Sequence, residues 1–333
     1  MGGQPLTKDK CVTPVIAITG ASGFIGRHLV AELLGRRDDV QIRALIHRSV
    51  GSHTFKNKKL VTFNGNLMRP ETLEGLFEAG CTVVNLAYLA SRSNNDNLLA
   101  MSNLVDACVK AKIKRMVHCS TAVVAGRAPN GETNEETPCA PANAYELTKL
   151  GVEKLLLEKA SGRFELVILR PTAVFGPGGK NLLKLAGNLA RGNRTINYLK
   201  SCLYGYRKMN LVCIDNVISA ITFLIETDKS IDRETFIVSD DDDPANNYRD
   251  VEKYLMNALD IKAYPLLWFQ LPRFLLAASL KLAGKPNINP ARVYLAHKLV
   301  AAGYKKRVPF EAGLKSFADW YREEFRPAGT GDL

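Results

Sequence analysis

A tyrosine and a lysine with the spacing of one helical turn lie near the middle of the chain, in the run Tyr145-Glu146-Leu147-Thr148-Lys149. Within the predicted helix 145–159 this spacing places Tyr145 and Lys149 on the same face. A phenol with an ordinary pKa of about 10 exchanges protons poorly at neutral pH, and a neighbouring ammonium lowers that pKa by favouring the phenolate. The pair therefore predicts a general acid–base for a hydroxyl or carbonyl oxygen.

Two hydroxyl side chains, Ser120 and Thr121, stand where the predicted strand 115–120 ends. Ligands of open parallel sheets bind at the carboxyl ends of the strands. We therefore expect Thr121 to hydrogen-bond the substrate oxygen on which Tyr145 acts. A tyrosine–lysine pair occurs by chance in many helices, but its position after a strand that ends in hydroxyl residues makes the catalytic interpretation more specific.

A glycine-rich turn follows the first predicted strand, in the run Thr19-Gly20-Ala21-Ser22-Gly23-Phe24-Ile25-Gly26. Glycines let backbone amides approach a diphosphate closely, and the helix that begins near Phe24 points its N-terminal dipole at the anion. The spacing is GxxGxxG, which differs from the GxGxxG dinucleotide fingerprint. We interpret the run as a dinucleotide-binding turn, and the alternative is a plain glycine-rich turn between a strand and a helix.

Strands and helices alternate along the first half of the chain, and they are the elements that position these residues. Apolar runs predict strands at 15–18, 41–47, 60–64, 82–87, 115–120 and 165–170, and amphipathic runs predict helices from about 24 and at 98–111, 145–159 and 181–191. This alternation predicts an α/β fold with a doubly wound parallel sheet that helices cover on both faces.

The pattern becomes less regular after Gly176-Pro177-Gly178-Gly179. We expect a first domain at residues 12–175 and a smaller C-terminal α/β substrate lobe at 176–326. Two further predicted strands, 210–214 and 235–238, indicate that segments near 210–240 return to the first domain. The four aspartates at 240–243 lack the spacing of metal ligands and predict a solvated loop.

The composition favours an acidic partner of low molecular weight. The 333 residues carry 45 Lys and Arg against 33 Asp and Glu, a net charge of +12, which suits a phosphorylated cofactor or substrate. No basic patch is interleaved with aromatic residues, so we expect no nucleic-acid partner. Seven cysteines without a CxxC pair predict reduced thiols and no metal site. The polar N-terminus, residues 1–10, shows no secretory signal, so we expect a cytoplasmic location.

The most apolar stretch, residues 264–284, is interrupted by Gln270, Arg273, Lys281 and two prolines. These residues exclude a regular membrane-spanning helix. We expect a buried or lid-like helix here, and interfacial membrane contact is the alternative.

The chain resembles the extended short-chain dehydrogenase/reductase superfamily, in its NAD-dependent epimerase/dehydratase branch. The resemblance covers nearly the whole length and rests on these runs: TGASGFIG at 19–26, NLA at 85–87, STAVVAG at 120–126, YELTK at 145–149, LRPTAVFGPGG at 169–179, LVCIDNVISAI at 211–221 and GLKSFADWY at 313–321.

The resemblance implies a Rossmann-like domain that binds NAD(P), with Tyr145 as the catalytic acid–base. Lys149 would bind the nicotinamide ribose and tune Tyr145, while Thr121 would orient the substrate with Ser120 beside it. The implied cofactor-binding residues are Gly20, Ser22, Gly23, Phe24, Ile25, Gly26, Asn66, Leu67, Leu86, Ala87, Lys149, Pro171 and Val174. The superfamily also implies a homodimer built on helices that include the Tyr145 helix.

Two departures from the family pattern, and the charge after the second strand, bear on the ligands. Asn66 occupies a position that is often aspartate, and Met209 occupies one where many nucleotide-sugar enzymes have a diphosphate-binding arginine. Arg207 and Lys208 are adjacent, and together with Asn181 they are our candidates for contacting a substrate diphosphate. After the second strand Arg48 follows, with no acidic residue near it. Because arginine suits a ribose 2′-phosphate, we expect NADP(H) to be favoured, with NAD(H) as the alternative.

The sequence supports one leading function and two alternatives. The leading one is 4-keto reduction or epimerisation of a nucleotide-activated sugar. The first alternative is an NADPH-dependent reductase of a non-nucleotide ketone, similar to 3β-hydroxysteroid dehydrogenases or dihydroflavonol reductases. The second is a non-catalytic NADP(H)-sensing protein, against which the presence of Thr121, Tyr145 and Lys149 argues.

Overall fold

A parallel β-sheet forms the centre of the computed structural model, which describes residues 13–36, 39–47, 57–126, 131–282 and 289–325. The strands are β1 (Val15–Thr19), β2 (Gln41–Ile46), β3 (Leu60–Asn64), β4 (Thr82–Asn85), β5 (Arg115–Cys119), β6 (Glu132–Thr133), β7 (Glu165–Pro171), β8 (Ala173–Phe175), β9 (Leu211–Cys213), β10 (Thr235–Val238) and β11 (Val293–Tyr294).

The helices alternate with these strands along the chain. They are α1 (Phe24–Arg36), α2 (Asn94–Ala111), α3 (Ala144–Lys159), α4 (Leu183–Arg191), α5 (Arg194–Tyr204), α6 (Ile214–Glu226), α7 (Tyr248–Ala258), α8 (Arg273–Leu282), α9 (His297–Ala301) and α10 (Phe310–Glu324). No helix among the described residues is long and apolar enough to cross a membrane.

The strand order in the main sheet is β10-β7-β5-β4-β1-β2-β3, and every pair is parallel. The chain proceeds from β1 outward to β3 and then returns to place β4 on the other side of β1. This change of direction creates a crevice at the carboxyl ends of β1 and β4, where open α/β sheets bind their ligands. The predicted doubly wound α/β fold is confirmed.

The hydrophobic core lies on both faces of the sheet, because apolar side chains of each strand point alternately to opposite sides. On one face, Leu29 of α1 and Val217 of α6 pack with Ile18 of the central strand. On the other face, Leu104 of α2 and Leu156 of α3 pack with Val83. The helix that carries Tyr145 and Lys149 is therefore fixed on the sheet by its own apolar face.

Local signals set several boundaries differently from the pattern of apolar residues. Helix α2 begins at Asn94, four residues before the predicted start, because Ser93 and Asp96 form a reciprocal capping box. Helix α4 begins at Leu183. Strand β9 pairs with β8 in a separate two-stranded sheet, whereas β10 joins the main sheet beside β7.

The predicted solvated loop at 240–243 is wrong for its first two residues, since Asp240 and Asp241 are buried. Asp240 accepts hydrogen bonds from the Cys213 amide at 2.8 Å and from Asn216 Nδ2 at 3.0 Å. Asp241 accepts one from Asn210 Nδ2 at 2.7 Å. Polar donors on β9 and α6 therefore hold these carboxylates inside the protein.

Of the alternatives for residues 264–284, a buried helix is wrong for most of the described side chains, although Leu276 is buried. Leu267 is 93% exposed and Phe274 is 69% exposed. The ten residues of α8 form one short helix, and the segment before it is irregular.

Candidate active site

The turns that follow β1 and β4 are in close contact in the crevice of the sheet. Gly20 has φ +73, and a Cβ atom added to it would lie 2.8 Å from the carbonyl carbon of Leu86 and 2.9 Å from the amide nitrogen of Ala87. Only glycine fits this position without moving the backbone. The structure thus brings together Gly20, Leu86 and Ala87, which the sequence predicts as cofactor-binding residues.

The start of α1 is equally close to this turn. A Cβ atom on Gly26 would lie 2.3 Å from the carbonyl oxygen of Gly20, and the Gly23 amide donates a 3.0 Å hydrogen bond to that same oxygen. The helix begins at Phe24, so the amides of its first turn have no acceptors within the helix. A glycine-lined turn below a helix N-terminus fits the diphosphate of a dinucleotide.

The loop 176–179 packs against the same helix. The ring Nε2 of His28 lies 2.9 Å from the carbonyl oxygen of Pro177, and a Cβ atom on Gly179 would lie 2.7 Å from the Phe24 ring. Asn181, which follows this loop, donates a 2.7 Å hydrogen bond to the carbonyl oxygen of Val174. Its amide thus stabilises the Val174 segment, and its contact with substrate stays a prediction.

Asn66 and Leu67 lie in a tight loop after β3. Asn66 Oδ1 accepts a 2.9 Å hydrogen bond from the Met68 amide, so one end of its side chain stabilises the loop itself. Leu67 is buried, and its carbonyl oxygen accepts a hydrogen bond from Asn103 of α2. Arg48 lies outside the described residues.

The carboxyl end of β5 and the start of α3 bring the predicted catalytic side chains together. The Thr121 side chain is close enough to the Tyr145 phenol to favour its ionised form by hydrogen bonding. Lys149 is buried, and its Nζ donates a 3.0 Å hydrogen bond to the carbonyl oxygen of Cys119. Ser120 is buried too, and among the described residues its hydroxyl has no hydrogen-bond partner. Tyr145 remains 40% exposed, so its hydroxyl is accessible to a ligand.

The electrostatic environment keeps Tyr145 protonated. Burial raises the pKa of Tyr145, and the hydrogen bond from Thr121 acts in the opposite direction. Burial lowers the pKa of Lys149, while the nearby Cys119 and Glu153 raise it. The net direction at Tyr145 is opposite to the lowering expected from the sequence, because desolvation of the phenol outweighs the favourable contacts.

Tyr88 is a neighbour that the sequence did not single out. Its ring makes an edge-to-face contact with Tyr145, with the ring centroids 5.2 Å apart. Lys149 Nζ lies 5.4 Å from the centroid of the Tyr88 ring, within the range of a cation–π interaction. Tyr88 directly follows the Asn85-Leu86-Ala87 strand end, and this position was the feature of the sequence that could have identified it as a site residue.

A buried polar network beneath the site ties three strand ends together. Asn85 Oδ1 accepts a 2.6 Å hydrogen bond from the Thr19 hydroxyl, and Asn85 Nδ2 lies 3.0 Å from Nδ1 of His118. Burial, and then the charge of Lys149, hold the pKa of His118 well below its usual range. His118 is therefore neutral and accepts at Nδ1, which fixes β1, β4 and β5 in register below the crevice.

A cavity of about 190 Å³ is lined by two of the predicted substrate-binding residues, Arg207 and Lys208. Tyr204, Tyr206 and Gln270 also line it. The Arg207 guanidinium lies 5.7 Å from the Tyr204 ring centroid, and burial lowers its pKa.

Hydrogen bonds connect this cavity with the catalytic strand end. Asn210, three residues after Arg207, donates a 2.7 Å hydrogen bond to the carbonyl oxygen of Arg292. The Arg292 guanidinium in turn donates to the carbonyl oxygen of Gly126, which ends the helical turn that follows Thr121. Pro290 and Ala291 line the cavity, so the segment that ends in Arg292 contacts both the cavity and the turn that follows Thr121.

Residues 16–239 match the NAD dependent epimerase/dehydratase family. The chain belongs to that family. It is an extended short-chain dehydrogenase/reductase, and its cofactor is a nicotinamide dinucleotide. The fold is the one that the resemblance in sequence implies, and the roles of the glycine turn and of Tyr145 and Lys149 stay predictions.

Three relatives show the range of this epimerase/dehydratase family. A 4-hydroxy-2-methyl-3-oxo-4-farnesyl-3,4-dihydroquinoline-1-oxide ketoreductase from Stigmatella aurantiaca is 33% identical over 170 residues, 48% of this chain and 50% of that protein. A decarboxylating sterol-4-alpha-carboxylate 3-dehydrogenase from Saccharomyces cerevisiae is 26% identical over 92% of this chain and 98% of its own length.

The third is the structure of a UDP-glucose 4-epimerase with UDP-glucose from Thermotoga maritima. It superimposes with a TM-score of 0.72 at 20% identity and covers 94% of this chain and 100% of its own. The two sequence relatives are thus named for lipophilic ring systems, and a protein with the same fold is named for a nucleotide sugar.

Proposed function

We propose that the protein transfers a hydride between NADP(H) and a carbon–oxygen centre of a nucleotide-activated sugar, either reducing a 4-keto group or epimerising a carbinol. The observation that carries the proposal is the cluster at the end of β5: Thr121 acts on the Tyr145 phenol, and Tyr145 and Lys149 both contact the ring of Tyr88. This arrangement offers one exposed, protonated hydroxyl beside the end of β5.

Tyr145 moves the proton in this proposal. Because burial keeps its phenol protonated, the hydroxyl donates its proton to a carbonyl oxygen that gains negative charge. Thr121 hydrogen-bonds the same oxygen and orients it. The ammonium of Lys149 stabilises the phenolate that forms, since opposite charges in a poorly solvated site attract strongly.

The residues around the crevice would hold the cofactor, which supplies or accepts the hydride when it is bound. The turn from Gly20 to Gly26 would take the diphosphate and Asn66 the adenine side. Lys149, with one hydrogen bond made to Cys119, has further protons for a ribose hydroxyl. The preference for NADP(H) rests on Arg48 and on the end of β2, where His47 follows Ile46 and no acidic residue is present.

The cavity around Arg207 supports a diphosphate-bearing substrate. Among the described residues, no carboxylate lies within ion-pair distance of Arg207, although its guanidinium is partly buried. A partly desolvated arginine without a carboxylate favours an incoming anion. Lys208 adds a second positive charge, and Tyr204 and Tyr206 offer aromatic faces for a nucleobase.

A second candidate function is the reduction of a lipophilic ketone. It is favoured by the exposed leucines and phenylalanines at residues 266–275 and by Met209, which is packed against the core where many nucleotide-sugar enzymes have arginine. The relatives named for a farnesylated quinoline and for a sterol also favour this second candidate.

Replacing Tyr145 with Phe tests the catalytic assignment. We expect turnover to fall by about 100-fold or more, because the proton donor is lost, while NADPH affinity stays within about twofold. Unchanged function in Tyr145→Phe would instead favour the non-catalytic sensing protein.

A substrate panel tests the assignment of the substrate class. We expect turnover of UDP- or dTDP-4-keto sugars, and we expect Arg207→Met to raise their KM by about tenfold, as loss of a charged hydrogen bond does. Arg163→Met, at an exposed position outside the cavity, is the matched control. Turnover of farnesylated or steroidal ketones alone, with no effect of Arg207→Met, would establish the second candidate.

A further inference from the structure

An unusual number of large apolar side chains are exposed on one part of the C-terminal half. On α5 they are Ile196 and Leu199, and in the segment before α8 and in α8 itself they are Leu266, Leu267, Phe269, Phe274, Leu275 and Leu282. We call these eight residues the apolar patch. Leu267 is 93% and Leu282 is 90% exposed, values that are rare for leucine in a water-facing surface unless the surface binds something.

The two parts of the apolar patch are physically joined. The Tyr198 hydroxyl on α5 donates a 2.7 Å hydrogen bond to the carbonyl oxygen of Leu267. The Leu271 amide donates a 2.9 Å hydrogen bond to the carbonyl oxygen of Cys202, also on α5. Tyr206 and Trp268 make an edge-to-face contact with centroids 5.5 Å apart. The exposed side chains therefore belong to one fixed surface.

The two stretches of chain that contain the apolar patch are rich in basic residues and contain no acidic ones. Residues 166–214 contain eight Lys and Arg and no Asp or Glu. Residues 261–310 contain nine Lys and Arg and again no Asp or Glu. The remainder of the chain has more acidic than basic residues. Some of these charges are used elsewhere in the fold, since Lys298, Lys306 and Arg307 form ion pairs with Glu234, Asp240 and Glu32.

Basic side chains lie at the border of the patch in the structure. Arg194, at the start of α5, donates to the carbonyl oxygens of Lys262 and Ala263 at 3.0 and 2.8 Å, and its guanidinium lies 5.8 Å from the Tyr264 ring centroid. Lys262 is exposed. Large apolar side chains with a cationic border are the composition of segments that bind the interface of a membrane.

The length of α8 suits contact with a membrane surface and is too short for a membrane-spanning helix. Helix α8 has ten residues, a length of about 15 Å at 1.5 Å per residue, which is about half of the hydrocarbon thickness of a bilayer. Such a helix can insert its exposed Phe274, Leu275 and Leu282 at the level of the headgroups, while basic side chains at the border contact lipid phosphates.

We propose that the apolar patch docks the protein on the surface of an anionic phospholipid membrane. Gln270 and Leu276, which are next to the patch, also line the Arg207 cavity. Docking therefore places the mouth of that cavity close to the lipid headgroups. The proposal rests on exposure and charge alone, and it holds whichever substrate class the active site accepts.

Flotation with vesicles of defined composition tests the docking. We expect the full chain to float with vesicles of phosphatidylcholine and phosphatidylglycerol at low salt, to bind vesicles of phosphatidylcholine alone at least tenfold less, and to lose affinity as salt rises, because salt screens the charges. Lys262→Glu should lower the affinity for anionic vesicles several-fold.

The double variant Leu267→Asp/Phe274→Asp isolates the apolar contribution. Both side chains are exposed, so its thermal stability and its NADPH binding should equal those of the native chain, while vesicle binding falls at least tenfold. The control is Val300→Asp, at a 52% exposed position on α9, which should bind vesicles normally. The proposal is overturned if the native chain does not bind anionic vesicles, or if the double variant binds them equally well. A third outcome also overturns it: the native chain does not float with vesicles but self-associates, and the double variant abolishes that self-association. The patch would then be a contact between copies of the chain.

Discussion

The ammonium of Lys149 donates a 3.0 Å hydrogen bond to the backbone carbonyl of Cys119, the last residue of β5. This contact fastens the helix that carries Tyr145 to the strand end that carries Thr121. Lys149 Nζ also lies 5.4 Å from the centroid of the Tyr88 ring, which Tyr145 contacts edge to face. One side chain thereby has a positioning and an electrostatic role in the proposed reaction.

Replacement of Lys149 by Met should abolish most of the activity without unfolding the protein. The variant removes the charge that stabilises the Tyr145 phenolate, so we expect kcat to fall by about 100-fold or more. Stability should change little, because burial already disfavours the ammonium. Lys159→Met, on the same helix but at its other end, is the control. Equal kcat values in the two variants would contradict the role of Lys149.

The pH dependence should differ between the two directions of the reaction. Tyr145 must be protonated to reduce a ketone and ionised to oxidise an alcohol, and burial raises its pKa above the ordinary value of 10.0. Reduction should therefore be flat through neutral pH, while oxidation should rise steadily with pH. Measurements of kcat from pH 6 to 10 in both directions check this. Oxidation that is already maximal at pH 7 would mean that Tyr145 is not the base.

Thr121→Val should shift the alkaline limb of the oxidation profile to higher pH. The hydrogen bond from Thr121 lowers the pKa of Tyr145, and its loss lets the pKa rise further. We expect kcat to fall by about 10- to 100-fold, as for removal of a group that orients the reacting oxygen. Thr121→Ser keeps the hydroxyl and should restore the profile. A profile that does not move in Thr121→Val would refute the hydrogen bond.

Gly20→Ala should weaken cofactor binding and stability together. The added Cβ would overlap the backbone of Leu86 at 2.8 Å, in a conformation with φ +73, and we expect a loss of about 1–3 kcal/mol in the free energy of unfolding. Gly35→Ala on α1 meets no atom within 4 Å and should stabilise the chain by up to about 1 kcal/mol. NADPH titration and thermal melts on both variants test this prediction. Similar melting temperatures for the two variants would argue against the close packing of Gly20 on Leu86.

Asp241 should make the protein less stable as the pH rises through the acidic range. Burial raises the pKa of Asp241 from 3.8 to about 6, so the folded state binds the proton more tightly than the unfolded state. The free energy of unfolding should therefore fall between about pH 4 and pH 6, by about 3 kcal/mol from this residue. Asp241→Asn should flatten that slope even if it lowers stability at every pH, and an unchanged slope in urea melts would contradict the assignment.

The sequence was sufficient for the parts of the fold that local patterns specify. The apolar run before Gly20, the helical pattern after Phe24 and the Tyr145–Lys149 spacing all lie in short stretches, and the structure places them at one end of the sheet. The burial of Asp240 was not predictable, because its partners Asn216 and Lys306 are distant in sequence. The exposure of Leu267 was missed since hydropathy describes a residue and not its surroundings.

Some expectations remain predictions. The division of the chain at 175/176, the homodimer, the cytoplasmic location and the individual roles of the site residues depend on ligands and partner molecules. Arg48, on which the preference for NADP(H) rests, lies outside the described residues.

Transfer of deuterium from NADPH labelled at C4 of the nicotinamide tests the central claim most directly. We predict that the protein places the label on the carbinol carbon of a product formed from a UDP- or dTDP-4-keto sugar. Tyr145→Phe should bind the labelled cofactor and transfer at least about 100-fold more slowly. Native protein that binds the cofactor but leaves no deuterium in any sugar product, or Tyr145→Phe that transfers at the native rate, would contradict the account.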